Sequence, residues 1–165
     1  MYAKRIQKEI QKLMQEQESN QKAFQSGKTP QGSGMGIDIF LNQPINNLET
    51  IYCTIFGANS TIYEGEEFRL RFVFSNDYPL SSPEVVFIAP YIPVHEHVYS
   101  NGHICLNVLY DGWSPVMNIQ TVCLSIVSML SSATQKSRPR DNDSYVLSCN
   151  KSPKQTRWHF HDDKV

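Results

Sequence analysis

The sequence lacks any long apolar run. None of its hydrophobic stretches approaches the roughly 20 residues that a helix needs to cross a bilayer, so no membrane-spanning segment is expected. It also lacks a charge excess. Fifteen Lys and Arg stand against 16 Asp and Glu, a formal net charge of −1, which provides no global field for nucleic acid or an anionic membrane. No C-x-x-C occurs among the four cysteines, at 53, 105, 123 and 149, and their spacing is irregular. A disulfide framework is therefore not expected. The first residues are polar and helix-forming rather than an apolar leader. The expectation is a soluble, intracellular chain with reduced thiols and no nucleic-acid or membrane partner. No internal repeat and no second domain are visible. Residues 1–150 are expected to form one core domain, and 151–165 a polar, mobile tail.

What is present alternates in period. Ile6, Ile10, Leu13 and Met14 recur at helical spacing within 2–18, which predicts an amphipathic helix. Arg5, Lys8 and Lys12 lie off its apolar stripe and face water or a partner. Residues 19–36 are mostly Ser, Asn, Gln, Gly, Lys, Thr and Pro and read as a flexible loop. From residue 37 the period becomes two, giving strands over 37–41, 50–56, 67–74 and 84–88, with a turn at 43–47. In the third strand Phe68, Leu70, Phe72 and Phe74 share a face opposite Glu67, Arg69 and Arg71, the pattern of a half-buried strand. Short connections favour an antiparallel meander. Asn118 is placed to cap a helix over 119–130 carrying Ile119, Val122, Cys123, Ile126 and Leu130. A short helix follows Asp143. Cys53 and Cys123 fall on core-facing positions and read as packing residues. One helix, grouped strands and then helices define an α+β layer fold.

The stretch from His95 to Leu109, HEHVYSNGHICLNVL, concentrates the chemistry. Asn101-Gly102 reads as a tight turn, because both residues tolerate positive φ. The turn presents Ile104-Cys105, with Leu106, Val108 and Leu109 as anchors. Three readings compete. Cys105 is a small buried hydrophobe among surface histidines. Alternatively H-x-H and H-x-C hold zinc, although these tight pairs fit no common zinc signature. Or Cys105 is a nucleophile whose thiolate is favoured by nearby imidazoles and backbone N–H groups. His159, His161, Asp162 and Asp163 in the tail offer a second, weaker metal pattern.

YPLSSPEV, the His-x-His before the cysteine, SNGHICLNVL, WSP and the helix after it resemble the ubiquitin-conjugating enzymes. IPVHEHVYSNGHICL, DGWSP, TVCLSIVSMLSS, RPRDN and CNKSPK are most similar to the W-type, N-terminus-directed branch of that family. The resemblance covers 1–14 and about 48–163, while 15–47 match poorly. It implies the family's fold: an N-terminal helix, a four-stranded antiparallel meander, a central helix and a short C-terminal helical segment. It implies that Cys105 accepts ubiquitin as a thioester from an activating enzyme, which uses the ATP, and passes it to a substrate amine. No metal or cofactor is implied for this chain. Cytoplasmic and nuclear localisation follows from the same likeness.

The family's usual His-Pro-Asn is here His95-Glu96-His97. His97 thus stands at the position of the asparagine assigned to oxyanion stabilisation, as it does in the W-type enzymes. His95, Asn101, His103 and Asn107 shape the site. Arg5 and Lys8 would meet the activating enzyme and a RING or U-box ligase. Pro79, Leu80, Ser114, Pro115 and Val116 complete the ligase surface.

The acidic residue common in the family about 30 positions after the cysteine falls near Ser137, among Lys136, Arg138 and Arg140, with Asp141 and Asp143 the nearest acids. A basic surface is a poor place to deprotonate lysine. An α-amine, with a pKa of about 7.7–8.0 against about 10.4 for lysine, needs less help. Protein substrates with flexible N-termini are therefore expected. The alternatives are lysine-directed conjugation of ubiquitin or a ubiquitin-like modifier, and a non-catalytic Cys/His binding module. A polar, mobile tail would leave the region beside Cys105 open to such a substrate.

Overall fold

The computed structural model describes residues 2–25, 39–42, 45 and 47–160. Helix α1 spans Tyr2–Gln25. Strands β1 (Ile39–Leu41), β2 (Thr50–Phe56), β3 (Glu67–Val73) and β4 (Glu84–Phe87) follow. They form one antiparallel sheet in the order β1-β2-β3-β4. A 3-10 turn at Asn107–Leu109 leads to α2 (Ile119–Ser131), α3 (Asn142–Ser148) and a second 3-10 turn at Pro153–Gln155. No described helix is long and apolar enough to cross a membrane.

The meander and the central helix stand where the apolar periods place them. Phe68, Leu70 and Phe72 of β3 are buried, with Phe74 just beyond its end. Ile119, Val122, Cys123, Ile126 and Leu130 bury the inner face of α2. Asn118 starts α2 with a capping box: its Oδ1 accepts from the Thr121 N–H at 2.9 Å, and Thr121 Oγ1 accepts from the Asn118 N–H at 2.8 Å. Cys53 of β2 and Cys123 of α2 are both fully buried. A hydrogen bond to Cys53, then burial, push the Cys123 thiol well above its ordinary value, so both behave as packing groups.

Three expectations need correction, and one core residue, Tyr63, was not anticipated. Helix α1 runs to Gln25, so 19–25 are helical rather than loop. No Gly or Pro interrupts the chain until Gly27, and nothing in those residues forces the backbone out of helix. Met14 is exposed, while Ile6, Ile10 and Leu13 carry the buried face. Tyr63, within a loop, is fully buried, and its hydroxyl donates to the Val94 carbonyl at 2.6 Å. The tail does not hang free: residues 151–160 lie against the core, with Pro153 buried. Residues 26–36 of the expected loop, Ile37 of the first strand, part of the 43–47 turn, and 161–165 with the remaining tail metal candidates lie outside the described residues.

Glu9 joins three elements. Its carboxylate accepts from Arg5 Nε at 2.5 Å, from the Tyr78 hydroxyl at 2.7 and 2.9 Å, and from the Ile119 N–H at 3.0 Å. The last contact places a negative group at the N-terminus of α2, where the helix dipole favours it. Removing this carboxylate strands a buried hydroxyl and an orphan helix N–H. Glu9→Ala is expected to lower unfolding free energy by about 2–3 kcal/mol, read from urea denaturation midpoints. A loss no larger than that of an exposed glutamate would refute the hub.

Candidate active site

The segment 95–105 folds back on itself beside β4. Isolated bridges pair His95 with Val98 and Val98 with Ile104. The Asn-Gly turn forms, but only Gly102 adopts positive φ, at +91°. Its N–H donates to the Tyr99 carbonyl at 2.9 Å, and its own carbonyl accepts from the Phe87 N–H at 2.9 Å. A side chain there would place Cβ 2.0 Å from the Phe87 oxygen, so glycine is required both by conformation and by space. Asn101 closes the turn from the other side. Its Oδ1 accepts from the His103 N–H at 3.1 Å, and its Nδ2 donates to Cys149 Sγ at 3.3 Å.

His95 is buried at the base of the site. Its Nδ1 accepts from the His97 N–H at 3.0 Å, while Nε2 lies 3.2 Å from the Met129 carbonyl of α2. These contacts fix the neutral tautomer with the proton on Nε2. Burial first, and the neighbouring His97 second, hold its pKa down at about 4. With both ring nitrogens engaged, His95 has none to offer zinc. Its ring packs against that of His97 at 5.5 Å between centroids. The His97 carbonyl in turn accepts from the Cys105 N–H at 2.8 Å. His97 Nε2 lies 3.8 Å from Glu96 Oε1. Thus His97 meets Cys105 through the backbone, and its imidazole lies between His95 and Glu96.

His103 is buried. Its Nδ1 lies 2.8 Å from the Tyr145 hydroxyl. Burial, its largest influence, lowers its pKa. Asn107 opens the 3-10 turn after the cysteine, and its carbonyl accepts from the N–H groups of Tyr110 and Gly112 at 2.9 and 3.1 Å. Cys105 is half-exposed, unlike Cys53 and Cys123, which leaves the buried-hydrophobe reading to those two residues.

The basic segment after α2 serves as a clamp. Arg138 Nη1 donates to the carbonyls of Pro93 and Val98 at 2.7 and 3.1 Å. Asp141 accepts from the Tyr99 hydroxyl at 3.0 and 3.3 Å, and Asn142 Oδ1 from the Ser100 N–H at 2.8 Å. Burial and Asp141 push the Tyr99 hydroxyl well above its usual range. Sequence reasoning missed the aromatic wall beside the site, formed by Tyr99, Tyr110, Tyr145 and Trp158. The available signal was that Trp158 and Phe160 are the aromatics of an otherwise polar tail.

The residues expected to meet partners converge at the other end of the molecule. Arg5 is not free. Its Nη2 donates to the carbonyls of Pro115 and Met117 at 3.4 and 3.1 Å. Trp113 Nε1 donates to the Pro79 carbonyl at 2.8 Å, and the Ser114 carbonyl accepts from the Met117 N–H at 2.9 Å. The two loops are thereby tied to each other and to α1. They leave Leu80 and Val116 78% and 81% exposed, and Lys8 of α1 is exposed as well.

Comparison with known families matches residues 5–161 to the family described as ubiquitin-conjugating enzyme. The chain belongs to that family, whose members carry ubiquitin as a cysteine thioester and transfer it. Its similarity is high to proteins of the W type. It is 55% identical over 118 residues to the probable ubiquitin-conjugating enzyme E2 W-A of Danio rerio, covering 72% of this chain and 78% of that one. It is 52% identical over 120 residues to the ubiquitin-conjugating enzyme E2 W of Caenorhabditis elegans, covering 73% and 79%. Among solved structures, the ubiquitin-conjugating enzyme UbcA1 of Agrocybe aegerita superposes with a TM-score of 0.73 at 37% identity, covering 93% and 99% of the two chains.

The His95 contacts make stability depend on pH. The folded pKa lies near 4, below the ordinary 6.5. The unfolded chain therefore takes up a proton that the folded chain refuses. The stability tied to this group is full above about pH 6.5, is lost as pH falls, and is gone near pH 4, a change of about 3 kcal/mol. His103 acts in the same direction. Urea midpoints from neutral pH downward are expected to fall steeply for the parent and less steeply for His95→Gln, whose stability at neutral pH is already reduced. Parallel profiles would count against the buried neutral imidazole.

Proposed function

We propose that Cys105 is the sulfur that carries ubiquitin and that the preferred acceptor is the α-amine of a flexible protein N-terminus. The reading is carried by one observation above all: Cys105 is the half-exposed thiol held at the end of the loop network that His95 anchors to α2. Its thiolate attacks the thioester carbonyl on the activating enzyme, and that enzyme's cysteine leaves. A substrate amine then attacks the new carbonyl, loses a proton, and expels the Cys105 thiolate as the amide forms. ATP is consumed upstream, and no cofactor is required within this chain. In its position beside the nucleophile, His97 supplies an imidazole where the wider family places an oxyanion-stabilising asparagine.

The α-amine preference is supported by the state of the clamp segment. Arg138 and Asp141 are spent on loop carbonyls and on Tyr99. An α-amine is roughly a tenth uncharged near neutral pH, whereas lysine is under about a thousandth uncharged, so it tolerates a site without a strong base. The activating enzyme and RING or U-box ligases are proposed to dock on α1 and on the tied loops carrying Leu80 and Val116, with the protein working in cytoplasm and nucleus.

Mixing the chain with activating enzyme, ATP and ubiquitin is expected to give a reductant-sensitive adduct. Cys105→Ser should give a reductant-resistant ester or nothing. The charged enzyme is expected to discharge faster to a peptide with a free N-terminus and no lysine than to free lysine. Charging that survives in Cys105→Ser as a reductant-sensitive adduct would remove Cys105 from its role. Rapid discharge to lysine alone would favour the lysine-directed alternative.

Lys8 offers a cleaner test of the docking face than Arg5, since Arg5 also holds the 114–117 loop. Lys8→Glu is expected to slow charging or ligase-stimulated discharge several-fold by reversing one exposed charge at an interface, with the urea midpoint unchanged. Equal rates in both assays would refute that surface.

A further inference from the structure

Residues 157–160, which belong to no helix or strand, bring their backbone to the nucleophile. The His159 carbonyl lies 3.7 Å from Cys105 Sγ, in position to accept from the thiol. On either side of His159 the chain is gripped by aromatic contacts. The Trp158 ring lies 5.3 Å from Tyr110 and 5.6 Å from Tyr145, and Phe160 stacks on Tyr110 at 5.9 Å. A polar latch holds the upstream end to the sheet. Ser152 Oγ donates to Glu84 Oε2 at 2.5 Å, and Lys154 Nζ donates to the Ser82 carbonyl at 2.6 Å. The Trp158 indole N–H returns to the Pro153 carbonyl at 3.0 Å, tying the latch to the aromatic grip.

We propose that this segment is an autoinhibitory strap that partly covers the free thiol and is released when Cys105 is acylated. The inference rests on the reading of Cys105 as the acyl carrier. Its chemistry follows from the one bond at the sulfur. A thiol has a hydrogen to donate to the His159 oxygen. A thioester has none, so that hydrogen bond is lost when Cys105 is acylated. The acyl group also needs the space that the strap backbone fills. The aromatic grip and the Ser152–Glu84 and Lys154–Ser82 latch then set how often the strap lifts before loading. Once displaced, the strap leaves an extended path beside the sulfur for the incoming polypeptide.

Alkylation by iodoacetamide, in which the thiolate displaces iodide, reads exposure of the sulfur without any ubiquitin machinery. It is done on the full chain in a Cys149→Ser background, since Cys149 is also half-exposed while Cys53 and Cys123 are buried. Two variants open the strap by different means: Trp158→Ala with Phe160→Ala removes the grip, and Ser152→Ala with Lys154→Gln removes the latch. Each is expected to raise the Cys105 alkylation rate about threefold or more, as follows if the closed strap holds the thiol at least two-thirds of the time. Circular dichroism confirms that the fold is kept. Unchanged rates in both folded variants overturn the strap. Faster alkylation with no ubiquitin thioester on any version keeps the cover over the thiol and overturns the acyl-carrier reading beneath it.

Discussion

A single buried imidazole sets the geometry of the working end. His95 receives the His97 N–H on one nitrogen and faces the Met129 carbonyl with the other. The His97 carbonyl then holds the Cys105 N–H. A rigid helix is thus connected, bond by bond, to the backbone of a half-exposed thiol. The arrangement needs a side chain that accepts on one atom and donates on another about one ring-width away. Neutral imidazole does this. A protonated ring would have two donors and would face the His97 N–H with a hydrogen of its own. Burial therefore does two jobs at once: it keeps the ring neutral, and it makes the loop position contingent on that neutrality.

The opposite end is organised by a carboxylate. Glu9 collects Arg5, Tyr78 and the first N–H of α2. Arg5 extends the same network to the 115–117 carbonyls, and Trp113 joins that loop to Pro79. The apolar pair Leu80 and Val116 is consequently displayed on loops that are fixed from behind. Helix α2 is common to both ends: Glu9 binds its N-terminus, and His95 faces a carbonyl of its last turn. The proposed partner face and the chemistry therefore share one rigid strut. That is a structural connection, and any energetic coupling along it would require two distinct arrangements of the strut.

Legibility followed the strength of the local signal. Strands β2 to β4 and helix α2 were readable because one face is buried, so their apolar residues keep period two or 3.6. Asn118 was readable because capping is a local interaction. Cys105 stood out because of the motifs around it. Tyr63 was not readable: its burial depends on a distant acceptor, the Val94 carbonyl. Met14 satisfied the period of α1 yet lay at the rim of its stripe. The tail was misread because a low apolar count predicts a free chain only when its few aromatics have nowhere to go. Here Trp158 and Phe160 meet Tyr99, Tyr110 and Tyr145, contributed by segments up to about 60 residues earlier. The turn at 101–102 was correctly located, but its steric reason is the approach of Phe87 to Gly102, which no local pattern contains.

The basic segment 136–143 illustrates how fold can constrain chemistry. It follows α2 and packs against the loop that leads to Cys105. Here Arg138 fastens the carbonyls of Pro93 and Val98, Lys136 pairs with Glu66, and Asp141 accepts from Tyr99. These contacts hold the outer edge of the very loop whose inner edge His95 holds. The Asp141 carboxylate is engaged by the Tyr99 hydroxyl, so it can meet a substrate amine only by giving up that contact. Releasing it for proton transfer would loosen Tyr99, and Tyr99 is part of the aromatic wall. The charged groups of this segment are thus committed to bracing the loop, and the proposed preference for an α-amine, the nucleophile with the lower intrinsic pKa, rests on that commitment.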